Sequence, residues 1–212
     1  MAYLKNISKI GSLLAPSLLW NMPRDTNTIY LSFDDGPHPE ITSWVLKALK
    51  NYDAKATFFC VGENILKYPK IFQQLISEGH SVGNHTHNHL KGWKTSTSNY
   101  LENTNKAEAA FSKYSTASNN IKLFRPPYGK IKPSQIRRLN QLDYKIVMWD
   151  ALSADFDSTI NAEDCFNNVI ENTKAGSIVV FHDSEKASEK LKSVLPRVLK
   201  YYSEKGFEFK RL

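Results

Sequence analysis

Cysteine is scarce in this chain: Cys60 and Cys165 are the only two among 212 residues, which excludes the disulfide framework of a small secreted scaffold. Cys60 sits in the apolar run Ala56-Thr57-Phe58-Phe59-Cys60-Val61 and Cys165 in a helical pattern, so both are expected as buried thiols. No apolar stretch reaches the ~20 residues a transmembrane helix needs. The nearest candidate, Ile10 to Trp20 behind Lys5 and Lys9, is broken by Pro16 and followed by no small-residue cleavage pattern. Ile7, Ile10, Leu13 and Leu14 fall at helical spacing, so residues 1–24 are expected as a segment packing on the domain through a helix, with a peripheral membrane anchor as the alternative. This leaves the location open, with cytoplasmic or peripherally membrane-associated expected ahead of clearly secreted.

Repeats, low-complexity tracts and flexible linkers are also missing, so residues 25–212 read as one domain with enough chain for a sizeable core. The net charge is +7 and the sequence pI about 9.2. Yet no block of like charges and no arginine-aromatic interleaving marks a nucleic-acid groove, and the lysines read as a solvated surface. The expectation is a monomer with no nucleic-acid partner.

What is present is a regular alternation. Thr28 to Phe33 reads as a buried strand, rich in β-branched and aromatic residues and stopped by Gly36-Pro37. Further strands are predicted around Ala56–Val61, His80–Asn84, Lys122–Arg125, Tyr144–Trp149, Ser177–Phe181 and Phe207–Arg211, with helical patterns between them. Such alternation predicts a parallel sheet with crossover helices, either open and doubly wound or closed into a barrel, and it places a ligand site at the C-terminal strand ends.

The chemically useful residues fall at those ends. Asp34-Asp35 follows the first strand; alone, the pair is as well explained by capping of the next helix, and both acids serve one site only if the backbone turns there. His85-Thr86-His87-Asn88-His89 follows the third strand, and three histidines in five residues favour a metal site, through His85 with His89 or through alternate histidines of an extended strand. Asp35 is the best candidate for a third, oxygen ligand. Arg125-Pro126-Pro127-Tyr128-Gly129, Trp149-Asp150, Asp155-Phe156-Asp157 and His182-Asp183 complete the set. Each alone reads as a rigid turn or a hydrogen-bonded strand end; together they read as a site.

In this order, Ser32 to Pro37, His85-Thr86-x-x-His89, Arg125-Pro126-Pro127-Tyr128, Asp155 and Val180-Phe181-His182 resemble the five motifs of the NodB-type polysaccharide deacetylases, carbohydrate esterase family four. The resemblance covers roughly Pro23 to the C-terminus. It implies an α/β fold, a distorted, TIM-barrel-like (β/α) barrel of about seven parallel strands. It also implies a divalent metal, zinc foremost with cobalt or another ion as alternatives, and hydrolysis of N-acetyl groups on N-acetylglucosamine-containing glycans such as peptidoglycan or chitin-type oligomers. By position, it makes Asp35, His85 and His89 the metal ligands, leaving His87 out. Asp34 becomes the general base, Arg125 the group that holds it ionised and oriented, and His182 the general acid oriented by Asp155. The backbone N–H of Tyr128 helps to bind the oxyanion, and Tyr128, Trp149, Phe156 and Val180 line the substrate. Phe156 stands where Trp is common and Val180 where Leu is common, and both keep an apolar wall. The alternatives are an O-acetyl esterase on xylan-type glycans, a cyclic amide hydrolase on the same scaffold, or a carbohydrate-binding protein without turnover; the complete catalytic set argues against the last.

Overall fold

The computed structural model describes residues 8–115 and 122–212. Seven parallel strands curl into an open barrel in the order β5-β4-β3-β2-β1-β7-β6. They are β1 (Thr28–Asp34), β2 (Thr57–Cys60), β3 (Ser81–Asn84), β4 (Lys122–Phe124), β5 (Tyr144–Ile146), β6 (Ala151–Leu152) and β7 (Ile178–His182). Helices connect them: α2 (Ile41–Lys50), α3 (Gly62–Lys67), α4 (Pro69–Ser77), α5 (Thr97–Tyr114), α6 (Pro133–Asn140), α7 (Ala162–Asn172) and α8 (Ser188–Glu204), after an N-terminal α1 (Ser8–Leu14).

Side-chain alternation along the strands divides the core in two. Leu31 and Phe33 of β1, Phe58 of β2 and Val179 and Phe181 of β7 face outward into one cluster with the helices. Phe33 stacks between Phe58 and Phe181 at centroid distances of 5.0 and 6.0 Å. Helix α8 seals this layer with Leu191, Val194, Leu195, Val198, Leu199 and Tyr202, one stripe at helical spacing. The second cluster, including Phe59, Phe124, Val147, Trp149, Ile178 and Val180, fills the barrel interior. Ser32 and Asp34 belong to the same inward set as Val180, because their spacing is two residues and Ser32 pairs with Val180 in register. Cys60 and Cys165 are buried and free.

Four features depart from the sequence expectations. The predicted strand Tyr144–Trp149 ends at Ile146, and a separate two-residue strand β6 follows; Met148 N–H donates to Leu19 O (2.7 Å) rather than extending the ladder. The predicted last strand is reduced to β8 (Glu208–Phe209), which pairs only with the foot of β1 and is not a barrel stave. Helix α3 was not expected, since six residues give too short a periodic signal. Finally, α1 forms, but Leu13 and Leu14 are 82% and 78% exposed and do not pack on the domain; Ile7 and the Ile10 side chain lie outside the described residues. The segment docks instead through buried Leu18 and Trp20, and its backbone spans from the edge strand β5 to the start of β7. Leu19 N–H donates to Ile146 O (2.8 Å) at the end of β5, and Met22 N–H to Gly176 O (2.9 Å) before β7. Among the described residues no helix is long and apolar enough to cross a membrane.

Candidate active site

The C-terminal ends of the strands converge on one mouth, and the backbone there is unusual. Asp35, Thr86, His89, Tyr128 and Ala154 all adopt positive φ (81°, 63°, 54°, 61° and 60°), a conformation that costs a non-glycine residue about 1–3 kcal/mol and persists where the surroundings impose it. At Asp35 this is the turn that lets two adjacent carboxylates serve one site. Asp34 keeps its inward strand direction, and Asp35 swings toward the loop after β3.

Asp35 Oδ1 lies 3.2 Å from His89 Nε2 and 3.8 Å from His85 Nε2. The ligand-capable atoms of all three residues lie within 4.8 Å of one another. Asp35 Oδ1 is nevertheless buried without a properly directed hydrogen bond. A buried, unpartnered carboxylate oxygen facing two imidazole nitrogens could hold a divalent metal. The tautomer of His85 agrees. Its Nδ1 lies 2.8 Å from Arg125 O, a carbonyl that can only accept, so Nδ1 carries the proton and Nε2 keeps its lone pair. Burial lowers the pKa of His85 to about 4 despite Asp34 and Asp35 nearby, so the ring is neutral and ready to ligate. For Asp35, burial works upward, but the close approach of His89, with His182 behind, holds its carboxyl well below the usual carboxylate range. His87 is not in the group. Its ring sits against Gly62, and its backbone N–H donates to Asn103 Oδ1 (2.8 Å).

Arg125 has no exposed surface and reaches across the barrel interior. Its Nη1 donates to Asp34 Oδ1 (2.8 Å) and Ser32 Oγ (2.7 Å), Nη2 to Met148 O (3.1 Å) and Nε to Val147 O (3.3 Å), with the guanidinium 4.1 Å from the Phe59 ring centroid. On the neighbouring strand, His182 stands level with Asp34. Its Nδ1 donates to Asp155 Oδ1 (2.8 Å) and its backbone N–H to Asp155 Oδ2 (2.9 Å). Burial would lower the pKa of His182, but the charge and hydrogen bond of buried Asp155, with Asp35 and Asp34 behind, push it up to about 9. At neutral pH the ring is therefore a proton donor.

The remaining candidates are placed as follows. Tyr128 is exposed, its ring 4.6 Å from that of His89. Phe156 meets the His182 ring edge-on at 4.8 Å. Trp149 is buried beneath Gly129, with Nε1 unpartnered, and Val180 is buried in the interior cluster with it. Asp150 does not join the site: it sits at the N-terminal foot of β6, paired with Arg24 at 2.8 Å. Asp157 caps a turn, accepting from Thr159.

Three supporting residues have roles that the sequence reading did not assign. Asp183 is buried, accepting from Gly36 N–H (3.0 Å) and from Thr42 Oγ1, and so clamps the turn after Asp35; burial and the Asp35 charge raise its pKa to about 7. A Cβ on Gly36 would come within 2.1 Å of the Asp183 carboxylate, which is why glycine stands there. Asn64 of α3 donates to Asp35 O (2.8 Å). Ser32 was the discoverable one, since a polar residue two positions before Asp34 shares its face.

A family model described as polysaccharide deacetylase matches residues 21–147, more than half of the chain. The peptidoglycan-N-acetylglucosamine deacetylase of Bacillus cereus is 31% identical over 194 residues, covering 90% of this chain and 88% of that one. A chitooligosaccharide deacetylase of Azorhizobium caulinodans is 29% identical over 76% of this chain and 75% of its own. Among solved structures, the Bc1960 peptidoglycan N-acetylglucosamine deacetylase in complex with 4-naphthalen-1-yl-N-oxidanyl-benzamide superposes with a TM-score of 0.87 at 29% identity, covering 95% of this chain and 94% of that one. By sequence over most of its length and by the course of its backbone, this chain belongs to the polysaccharide deacetylase family and is a hydrolase.

Proposed function

We propose that the enzyme removes N-acetyl groups from N-acetylglucosamine-containing glycans, with a divalent metal, zinc foremost, held by Asp35, His85 and His89. The observation that carries this reading is the meeting, at one barrel mouth, of that ligand set with an arginine-bound carboxylate and a carboxylate-bound histidine. When bound, such an ion lowers the pKa of a water from about 15.7 to about 7 and polarises the acetyl carbonyl. Asp34, held by Arg125, accepts the proton of the attacking water. The Tyr128 backbone N–H would donate to the developing oxyanion. His182 gives its proton to the departing nitrogen, without which an amine is a poor leaving group. The two adjacent acids thus divide the work, each with its own partners. The choice of acetamido sugar is supported by the similar B. cereus and A. caulinodans proteins, whose names specify N-acetylglucosamine in peptidoglycan and chitooligosaccharides.

Chelation should abolish acetate release from N-acetylglucosamine oligomers, and zinc should restore it; His89→Ala should lose both activity and bound metal by elemental analysis. Activity indifferent to chelators would overturn the metal reading.

The raised pKa of His182 sets a second expectation. The acid form is needed, so kcat falls as pH rises through the folded pKa, placing the basic limb at about 9. A cation beside Asp35 opposes the carboxylate charges that raise it and moves the limb downward. The His182–Asp155 pair also contributes stability that is fully present below the ordinary histidine value of 6.5 and lost as pH rises through about 9. Asp155→Asn should shift the basic limb of the pH–rate profile down by about 1 unit or more. An unmoved limb would reject His182 as the acid.

A further inference from the structure

Among the described residues, Trp93 and Tyr128 are the only exposed large aromatic side chains, 60% and 53% exposed. Tyr128 lies on the rim beside His89, and Trp93 lies on the turn that adjoins it. The Tyr128 ring packs on that of His89 at 4.6 Å. The turn carrying Trp93 is docked on the turn carrying Tyr128. A Cβ on Gly92 would come within 2.3 Å of Lys130 O, Trp93 Nε1 donates to Ile131 O (3.1 Å), and Gln135 Nε2 donates to Gly92 O (3.0 Å). The indole is therefore held at one edge while most of the residue stays open to solvent. A fixed, exposed aromatic on a turn docked to the one that carries Tyr128 can serve as a ligand surface, and its negative π face suits the C–H face of a sugar ring.

Two cations stand over the rings: Lys91 Nζ 5.0 Å from the Tyr128 centroid and Lys130 Nζ 5.2 Å from that of Trp93. Neither has a carboxylate within ion-pair distance among the described residues. The cation–π contacts position both ammonium groups and leave donors free for an incoming anion.

We propose that Trp93 is the stacking platform for the sugar flanking the one deacetylated, and that Lys91 and Lys130 bind a carboxylate on that flanking sugar. The preferred substrate is then an acetamido glycan that carries carboxylated sugars, rather than a neutral one. The proposal rests on the deacetylase reading above and assigns the specificity of the same site.

The test compares two tetrasaccharides of equal length on zinc-loaded enzyme: the neutral N-acetylglucosamine tetramer, and one alternating N-acetylglucosamine with the carboxylated N-acetylmuramic acid. Wild type should show a KM about tenfold lower for the carboxylated tetramer, and added salt should erode the difference. The Lys91→Gln/Lys130→Gln variant should lose that preference by raising KM for the carboxylated substrate alone. Trp93→Ala should raise KM for both by about five- to tenfold, more than it lowers kcat, and Trp93→Phe should recover most of the loss. Equal KM values in wild type, or a Trp93→Ala enzyme with unchanged KM, would overturn the proposal. If wild type releases acetate from neither tetramer, the deacetylation reading fails. Binding of the same two oligomers to chelator-treated protein, measured by calorimetry, then decides the platform by the same pattern of affinities.

Discussion

Replacing Asp34 by asparagine should cut acetate release by about 10²- to 10⁴-fold, the contribution of a positioned general base, while leaving the divalent metal in place. Asparagine keeps an oxygen where Arg125 Nη1 now donates at 2.8 Å, so the local geometry survives. It cannot take a proton from water. The metal is expected to stay because the proposed ligand set Asp35, His85 and His89 does not include this side chain. Alanine is the less informative substitution: it leaves the fully buried Arg125 without its carboxylate, and breaking a buried pair costs about 3–5 kcal/mol. The measurement is kcat on an N-acetylglucosamine oligomer together with metal content. An Asp34→Asn enzyme that retains activity would remove Asp34 from the base role, and one that loses its metal would show that the two acids do not divide the work.

The legible parts of this protein were those with local, repeated signals. Strands β1, β2 and β7 are buried almost throughout, so they read as near-continuous apolar runs, and the charged residues at their ends stand out against that background. Elements sustained by distant partners were not legible. β6 is two residues long and exists because Ala151 and Leu152 pair with Val179 and Val180 of β7, a contact no local window contains. Missing it also put Asp150 at a strand's end, when it lies at the foot of β6 in an ion pair with Arg24. Asp183 was visible beside His182, but its role depends on Gly36 and Thr42, 147 and 141 residues away. The apolar spacing of α1 predicted its helix, but of the expected contact residues Leu13 and Leu14 do not pack on the domain. Leu13 and Leu14 point outward because Gly11 faces Trp20, whose indole would lie 2.3 Å from a Cβ there.

Arg125→Met should destabilise the fold by about 3–5 kcal/mol and abolish activity with it, although methionine fills much of the same volume with an apolar chain. The cost follows from what the guanidinium joins. It binds Ser32 and Asp34 on β1 and the carbonyls of Val147 and Met148 between β5 and β6, so one side chain on the end of β4 ties the centre of the sheet to its open edge. Removing it leaves buried Asp34 without a counterion and two carbonyls without a donor, where each unsatisfied neutral group costs about 1–3 kcal/mol. Arg125→Lys keeps the charge but has no planar fork, so it cannot reach all four acceptors, and it should be intermediate in stability. Because Met148 is also held by its N–H to Leu19 O, loosening this edge should reach the N-terminal segment that bridges it. Denaturant unfolding of the three proteins, with hydrogen exchange of the Met148 amide, separates the effects. A stability loss in Arg125→Met no larger than that in Arg125→Lys would place the cost in the lost geometry of the fork rather than in the unpaired charge of Asp34.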